Sequence, residues 1–280
     1  MTQATAPAAG ASITLPAPVR TPRIDRRSTK WAVRIIAFVA VIALWEYSAG
    51  PMNRALFAPP SEVLAAANRQ FITERTIWAP IRDSVFVLFV GLGGGLLLGI
   101  PLGLVMGRSK RIHFVLDPYV TFLYVIPSVA FVPLLILWLG FNQPFQIALV
   151  FESALFPIMI NAAAGAQNVE PDLIDGGRSF RASQWQIMRT IVVPASLPFI
   201  FAGIRIAFSA AWVGVVVAQM TGALAGLGGM ILRAAATFRT ADMLVPILVI
   251  MAIGVTIHAL TTWLHHRLTP WHRPEGNVGA

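Results

Sequence analysis

NVEPDLIDGGRSFRASQWQIMRTIVVPASLP (168–198) lies between two apolar runs and is too richly punctuated to be a simple connection. Pro171 stands where the first turn of a helix tolerates proline, and Asp172 and Asp175 suit the positive end of that helix. Ser183, followed three residues later by Gln186, is a capping box that opens a second helix. Leu173, Ile174, Phe180, Trp185, Ile187 and Met188 supply apolar surface. The segment is therefore expected to form two short amphipathic helices, the second ended by Pro194. Two helices can be joined by a handful of residues, so about thirty structured ones imply a partner or an interface.

The flanking sequence says what kind of protein carries this loop. Hydrophobic residues make up 56% of the 280 positions and charged residues only 12%, with a mean hydropathy of +0.71. Soluble domains carry about 25% charged residues, so this chain is solvated by lipid. The net charge of +9 does not indicate nucleic acid, because the basic residues sit in short clusters between apolar runs. There are no cysteines, which excludes disulfides and thiol-ligated metal.

Six spans of roughly 20 apolar residues are predicted, at about 32–50, 83–107, 118–140, 145–166, 197–220 and 244–264. FNQP (141–144) is a tight turn that makes spans three and four an antiparallel hairpin. PPSEVLAAANRQ (59–70) is mixed in character and opens with Pro and Ser, as an interfacial helix would. Residues 1–30 lack large apolar residues and are expected to be a disordered cytoplasmic tail. The first apolar run begins only at Trp31, behind a basic stretch, so an uncleaved helix is expected rather than a signal peptide. Residues 31–266 then form the membrane domain, and 267–280 a second cytoplasmic tail.

Orientation follows from Lys and Arg. The side holding both termini carries Arg20, Arg23, Arg26, Arg27, Lys30 and Arg34, then Arg108, Lys110 and Arg111, then Arg178, Arg181 and Arg189, then Arg267 and Arg273. The other side has only Arg54, Arg69, Arg75, Arg82, Arg233 and Arg239. The positive-inside rule puts both ends, and the 168–198 loop, in the cytoplasm.

That loop resembles the signature loop of permeases of ATP-binding-cassette (ABC) importers. In the family a Glu-Ala-Ala triplet is followed after three residues by Gly, and nine residues later by Ile-x-Leu-Pro. Asp175-Gly176-Gly177 occupies the triplet here and Ile191-Val192-Val193-Pro194 the end, with the spacing kept. Further resemblance to the nitrate, sulfonate and taurine branch lies in PSEVL (60–64), Ile126-Pro127 with Pro133, the stretch from Leu197-Pro198 to Ala202-Gly203-Ile204-Arg205-Ile206-Ala207, and Gly226-Leu227-Gly228. It runs from about Trp31 to Trp263. The departure is Arg181, which stands at the family's glycine. A glycine there serves a sharp turn. Either the turn uses an ordinary backbone conformation here, the simpler expectation, or a partner's carboxylate answers the arginine.

The resemblance implies an all-α type I importer permease fold, with six transmembrane helices, both ends cytoplasmic, and a cytoplasmic coupling helix. It assigns ATPase coupling to Leu173, Ile174, Asp175, Gly176, Gly177, Ser179, Phe180, Arg181, Ala182, Ser183 and Trp185. Leu173, Ile174 and Phe180 are expected to be exposed and to lose water on docking. The implied partners are two ATP-binding subunits, a periplasmic solute-binding protein and a second permease subunit, most simply a second copy of this chain. No cofactor is expected on this chain. It has no GxxxxGK[ST], so ATP would be held by the partner. The implied solute is a small anion such as a sulfonate, taurine or nitrate; a pyrimidine vitamin precursor or riboflavin is the alternative.

Gly91, Gly95, Gly99, Gly103 and Gly107 recur every four residues, which lets another helix approach closely, either within the chain or in a second subunit. Glu152 and Arg205 fall inside predicted spans, where a charge is costly and needs a partner or water. They are candidate pathway residues, the competing reading for Arg205 being a structural role, paired with Glu152, with a backbone carbonyl or with the cytoplasmic interface. His258 is expected to be a packed neutral imidazole. His265, His266 and His272 lack metal-ligand spacing and nearby carboxylates, so no metal site is expected. A secondary transporter would show broken helices and charged relays repeated between halves, and no second half resembles the first. No constellation for a membrane enzyme is present. An assembly scaffold would not need the coupling-type loop.

Overall fold

The computed structural model describes residues 27–49, 56–221 and 225–268. Most of the predicted N-terminal tail, most of the C-terminal tail with His272, and Arg54 therefore lie outside the described residues, as do the side chains of His265 and His266. Every regular element among the described residues is helical. The chain divides between Trp45 and Glu46 into two units. The first is the body of α1 (Arg27–Ala49) alone; everything below belongs to the second.

The second unit is built around α3 (Trp78–Arg108), α6 (Gln143–Gln167) and α9 (Val193–Thr221), with α6 between the other two. The glycine stripe explains the first pairing. A Cβ at Gly91 would lie 2.6 Å from Val150 Cγ1, and one at Gly95 would lie 2.8 Å from Ala154 Cβ. At Gly103 and Gly107 it would meet the carbonyl oxygens of Met159 and Ala163. The stripe thus faces α6 of the same chain, which settles the alternative left open by the spacing. Small residues make the second pairing as well: Gly203 packs on Asn161, and Gly165 on Ser196 and Phe199. In lipid no hydrophobic effect drives helices together, so this close approach supplies the dispersion contact that does.

Among the described residues five helices are long and apolar enough to cross a membrane, and the predicted third span is not one of them. It is α4 (Lys110–Val125) followed, after a 3₁₀ turn at Ser128–Phe131, by α5 (Val132–Leu139), with an 88° bend between the halves. The reason is in the sequence. Pro127 disfavours helix at the residue before it, and Ile126 is extended (φ −69°, ψ 124°). Six crossings result only when the bent pair counts as one. The turn predicted at 141–144 falls slightly earlier, at Gly140–Asn142 with Gly140 at φ 77°, and Gln143 and Pro144 already belong to the first turn of α6.

Two further expectations are corrected. Helix α2 (Pro60–Asn68), extended by a π turn at Arg69–Thr73, is capped from Pro59, and its Ser61 hydroxyl donates to Glu46 instead (2.7 Å). Nor is it merely interfacial, because Val63 and Ala66 are buried with Ile77, Leu227 and Val245. Pro194 does not end the loop's second helix. Helix α8 (Gln184–Ile187) passes through a π turn at Met188–Val192 into α9, giving one helix over Gln184–Thr221. The wider π turn accommodates a proline that lacks an N–H and would clash in a regular helix. The chain finishes with α10 (Gly226–Ala236), too short to cross, and α11 (Thr240–Leu268).

Candidate functional site

The hairpin of α7 (Pro171–Ser179) and α8 is built much as its residues dictate. Pro171 occupies the first turn, with Asp172 at the helix's positive end and Arg178 at its negative end. Asp175 pairs with Arg178 at 3.0 Å, and Ser179 Oγ donates to the Asp175 carbonyl (2.9 Å). Both arms of the capping box form: Ser183 Oγ accepts from Gln186 N at 3.3 Å, and Gln186 Oε1 accepts from Ser183 N at 2.7 Å.

The turn between the two helices corrects the reading of Arg181. Its φ is +59°, the left-handed conformation in which glycine is at ease. Ala182 N donates to Gly177 O (3.1 Å) and Arg181 N to Arg178 O (2.8 Å). Those two bonds are a Schellman motif with Arg181 at the position after the cap. The arginine keeps the glycine's backbone shape and bears its strain.

The apolar surface divides in two. Ile174, expected to be exposed, is buried with Leu104, Ala162, Ala166, Ile187 and Val192, and so belongs to the chain's own core. Gly177, one turn on, rests against Ile187 and Ile191. These two residues anchor α7. On the outer side Leu173 and Trp185 are exposed, and Phe180 is 90% exposed. Asp175, Ser179, Arg181 and Ser183 are exposed beside them, while Gly176 and Ala182 are partly covered. The hairpin thus presents an aromatic, polar-rimmed surface at the end of α9 and is braced from behind.

Glu152 and Arg205 do not pair. Gly203 opposite Asn161 and Gly214 opposite Ser153 set the register of α6 against α9. That register puts the two charges roughly seven residues, or about 10 Å, apart along the helices. Glu152 Oε2 and Arg205 Nε are both buried without a hydrogen-bond partner. Glu152 neighbours Ser128 and Ser153, and the same two serines line a cleft of about 280 Å³ at the bend between α4 and α5, with Leu149, Val213 and Gly214. His258, expected to be packed, is exposed.

At the far end of α3 and α9 lie residues that stand in no charge pattern or motif of the sequence. Gln219, wholly buried, accepts on Oε1 from Ser84 Oγ (2.9 Å) and from Gly228 N (3.2 Å). Ser84 Oγ also accepts from Leu227 N (3.0 Å). Gly226, at φ 63°, leaves room for the Gln219 amide. The pair thereby holds the start of α10 to α3 and α9. Nearby, Asp242 accepts from Arg69, from Arg239 (2.7 Å) and from Gln70 Nε2 (3.2 Å), beside a polar cavity of about 380 Å³. A lone amide inside an apolar span, and an acid in the first turn of the last one, were the available signals.

Against known proteins, residues 81–273 match the family described as "Binding-protein-dependent transport system inner membrane component". The chain is 30% identical over 239 residues to the taurine transport system permease protein TauC of Escherichia coli (strain K12), covering 84% of this chain and 87% of TauC. It is 28% identical to the putative aliphatic sulfonates transport permease protein SsuC of Bacillus subtilis (strain 168), over 88% of this chain and 90% of SsuC. The nitrate import permease protein NrtB of Leptolyngbya laminosa is 27% identical, with 84% and 86% covered. Among solved structures, a chain of the MetNI methionine ABC transporter in an inward-facing conformation superposes with a TM-score of 0.61 at 17% identity, covering 70% of this chain and 99% of that one. The fold is shared with that transporter. This chain belongs to the binding-protein-dependent inner membrane component family and is a multi-pass, non-catalytic permease subunit of an ABC importer.

Proposed function

We propose that two copies of this chain form the pore of an importer for a small organic anion of the sulfonate class, with both termini and the α7–α8 hairpin in the cytoplasm. The observation that carries the mechanism is the continuity of α8 with α9. Leu173, Phe180 and Trp185 form the surface that a partner ATPase grips, with Asp175, Ser179, Arg181 and Ser183 at its rim. Ile174 and Gly177 brace it. A displacement of that surface on ATP binding moves one helix over Gln184–Thr221, and so reaches Gln219 and the Ser84–Leu227 junction on the far side. Each pore takes two ATPase subunits, which hold the ATP; this chain carries no cofactor. The binding protein docks over the polar cavity around Asp242. The solute passes the cleft at the α4–α5 bend, beside Glu152 with its neighbours Ser128 and Ser153, and then Arg205 at another depth.

Sulfonates are favoured because TauC and SsuC match over nearly their whole length. The test is uptake of labelled taurine, alkanesulfonates and nitrate by vesicles carrying the complete transporter. Glu152→Gln and Arg205→Gln are run beside the wild type with membrane levels measured. Uptake of one sulfonate, lost in a variant present at normal level, is the expected result. Uptake of none of these solutes while the partner binding protein captures a neutral one would overturn the solute class. Crosslinking and light scattering in detergent report the number of copies.

A further inference from the structure

Two adjoining cavities lie between α3 and the α8–α9 helix, at the level of the hairpin. The upper one, about 320 Å³, is lined by Arg108, Ser109, Arg178 and Gln184. The lower one, about 220 Å³, presents an apolar surface and is lined by Pro101, Leu104, Trp185, Val193 and the stem of Arg189. Val105 and Met188 line both, so the two adjoin. Pro101 stands seven residues before Arg108, about 10 Å deeper along α3. A polar chamber thus adjoins an apolar groove that lies deeper along α3.

We propose that this composite cavity is a binding site for an anionic phospholipid, with the phosphate between Arg108 and Arg178 and an acyl chain along Leu104, Val105 and Val193. The charge fits. Asp175 engages Arg178 Nη1 at 3.0 Å and offsets part of it, but Arg108 has no ion pair among the described residues. Lys110 and Arg111 follow at once in sequence. Basic pockets at the cytoplasmic edge of membrane helices hold acidic headgroups, and an indole at that level sits in the interfacial belt. The groove's inner wall is α3, through Pro101, Leu104 and Val105, and its outer wall runs from Trp185 through Met188 and Arg189 to Val193, the first residue of α9. The cytoplasmic placement rests on the orientation proposed above. Because Trp185 and Arg178 belong to the coupling hairpin, such a lipid would bear on the element that conveys the ATPase's movement.

The experiment uses the assembled transporter, delipidated in mild detergent and examined by native mass spectrometry. It is titrated with phosphatidylglycerol, with phosphatidylcholine of matched chains, or with inorganic phosphate. Phosphatidylglycerol is expected to bind at one per copy of this chain. Arg108→Gln weakens it about fivefold, since a basic residue near an anionic surface contributes about that factor, and Arg108→Lys restores most of it. Val105→Trp, which fills the groove, lowers retention of phosphatidylglycerol while leaving the complex assembled and monodisperse. Equal retention of phosphatidylcholine, or no response to either Arg108→Gln or Val105→Trp, overturns the proposal. Phosphate binding that ignores Val105→Trp would identify a free-anion site instead. Failure to capture an ATPase with lipid binding intact would overturn the coupling role and leave the lipid site standing.

Discussion

The Ser84 hydroxyl donates to Gln219 Oε1 across 2.9 Å, with both side chains sealed from solvent. It accepts at the same time from the backbone of Leu227, in the first turn of α10. Ser84→Ala deletes the acceptor of that buried N–H, and orphaning a buried group costs about 1–3 kcal/mol. The variant is expected to unfold several degrees lower in detergent and to admit protease between α9 and α10. An unchanged melting curve would show that the junction is not a strut.

Glycines of one helix are expected to differ sharply. At Gly103 a Cβ would meet the Met159 carbonyl and lie 2.7 Å from Ala162 Cβ, whereas at Gly93 nothing lies within 4 Å. Gly103→Ala must push α3 off α6, at about 1–3 kcal/mol for overpacking. Gly93→Ala should be neutral or slightly stabilising. Thermal denaturation of the two purified variants, with their level in the membrane, gives the comparison.

Phe180 and Ile174 sit six residues apart and should fail in different ways. Phe180 is 90% exposed and Ile174 6% exposed. Phe180→Asp forfeits the burial of an aromatic ring on docking, worth roughly 1.5–3 kcal/mol, so co-purification with the ATPase should fall at least about tenfold at normal membrane level. Ile174→Asp places a charge in the chain's own core and should lower the membrane level itself. Normal co-purification and transport with Phe180→Asp would remove the hairpin's outer face from the coupling contact.

Arg181 holds a positive φ without glycine's freedom. Arg181→Gly should stabilise the hairpin by about 0.5–1 kcal/mol, since a left-handed side chain costs more than the entropy glycine adds. Arg181→Ala keeps the strain and should leave stability unchanged. ATPase capture, measured in parallel, separates the roles: a loss shared by both variants would mean that the guanidinium itself is gripped.

The local physics of the hairpin was legible because it depends on neighbours in sequence. Pro171 at the first turn, the Ser183–Gln186 box and the Asp172 charge need no tertiary partner. Which side of α7 is covered was not legible. Leu173 and Ile174 are adjacent and equally apolar, and only the position of Val192 and Ala162 decides that Ile174 is inside. The bend in the third crossing was not legible, because hydropathy counts apolar length and takes no account of direction. Pro127 turns the backbone through 88° without altering the mean hydropathy.

By itself, then, the order of residues determined that this chain lives in lipid, that its charges favour one side, and that the 168–198 loop is a capped helical hairpin with the spacing of an importer permease. Composition and short-range bonding suffice for those conclusions. The tertiary structure alone decided that the glycine stripe faces α6, that Glu152 and Arg205 lie at different depths, and that the hairpin is continuous with a transmembrane helix. It also decided that Ser84, Gln219 and Asp242 pin the opposite end. Each of these depends on helix register and on contacts between residues up to 173 positions apart, and a linear pattern carries neither.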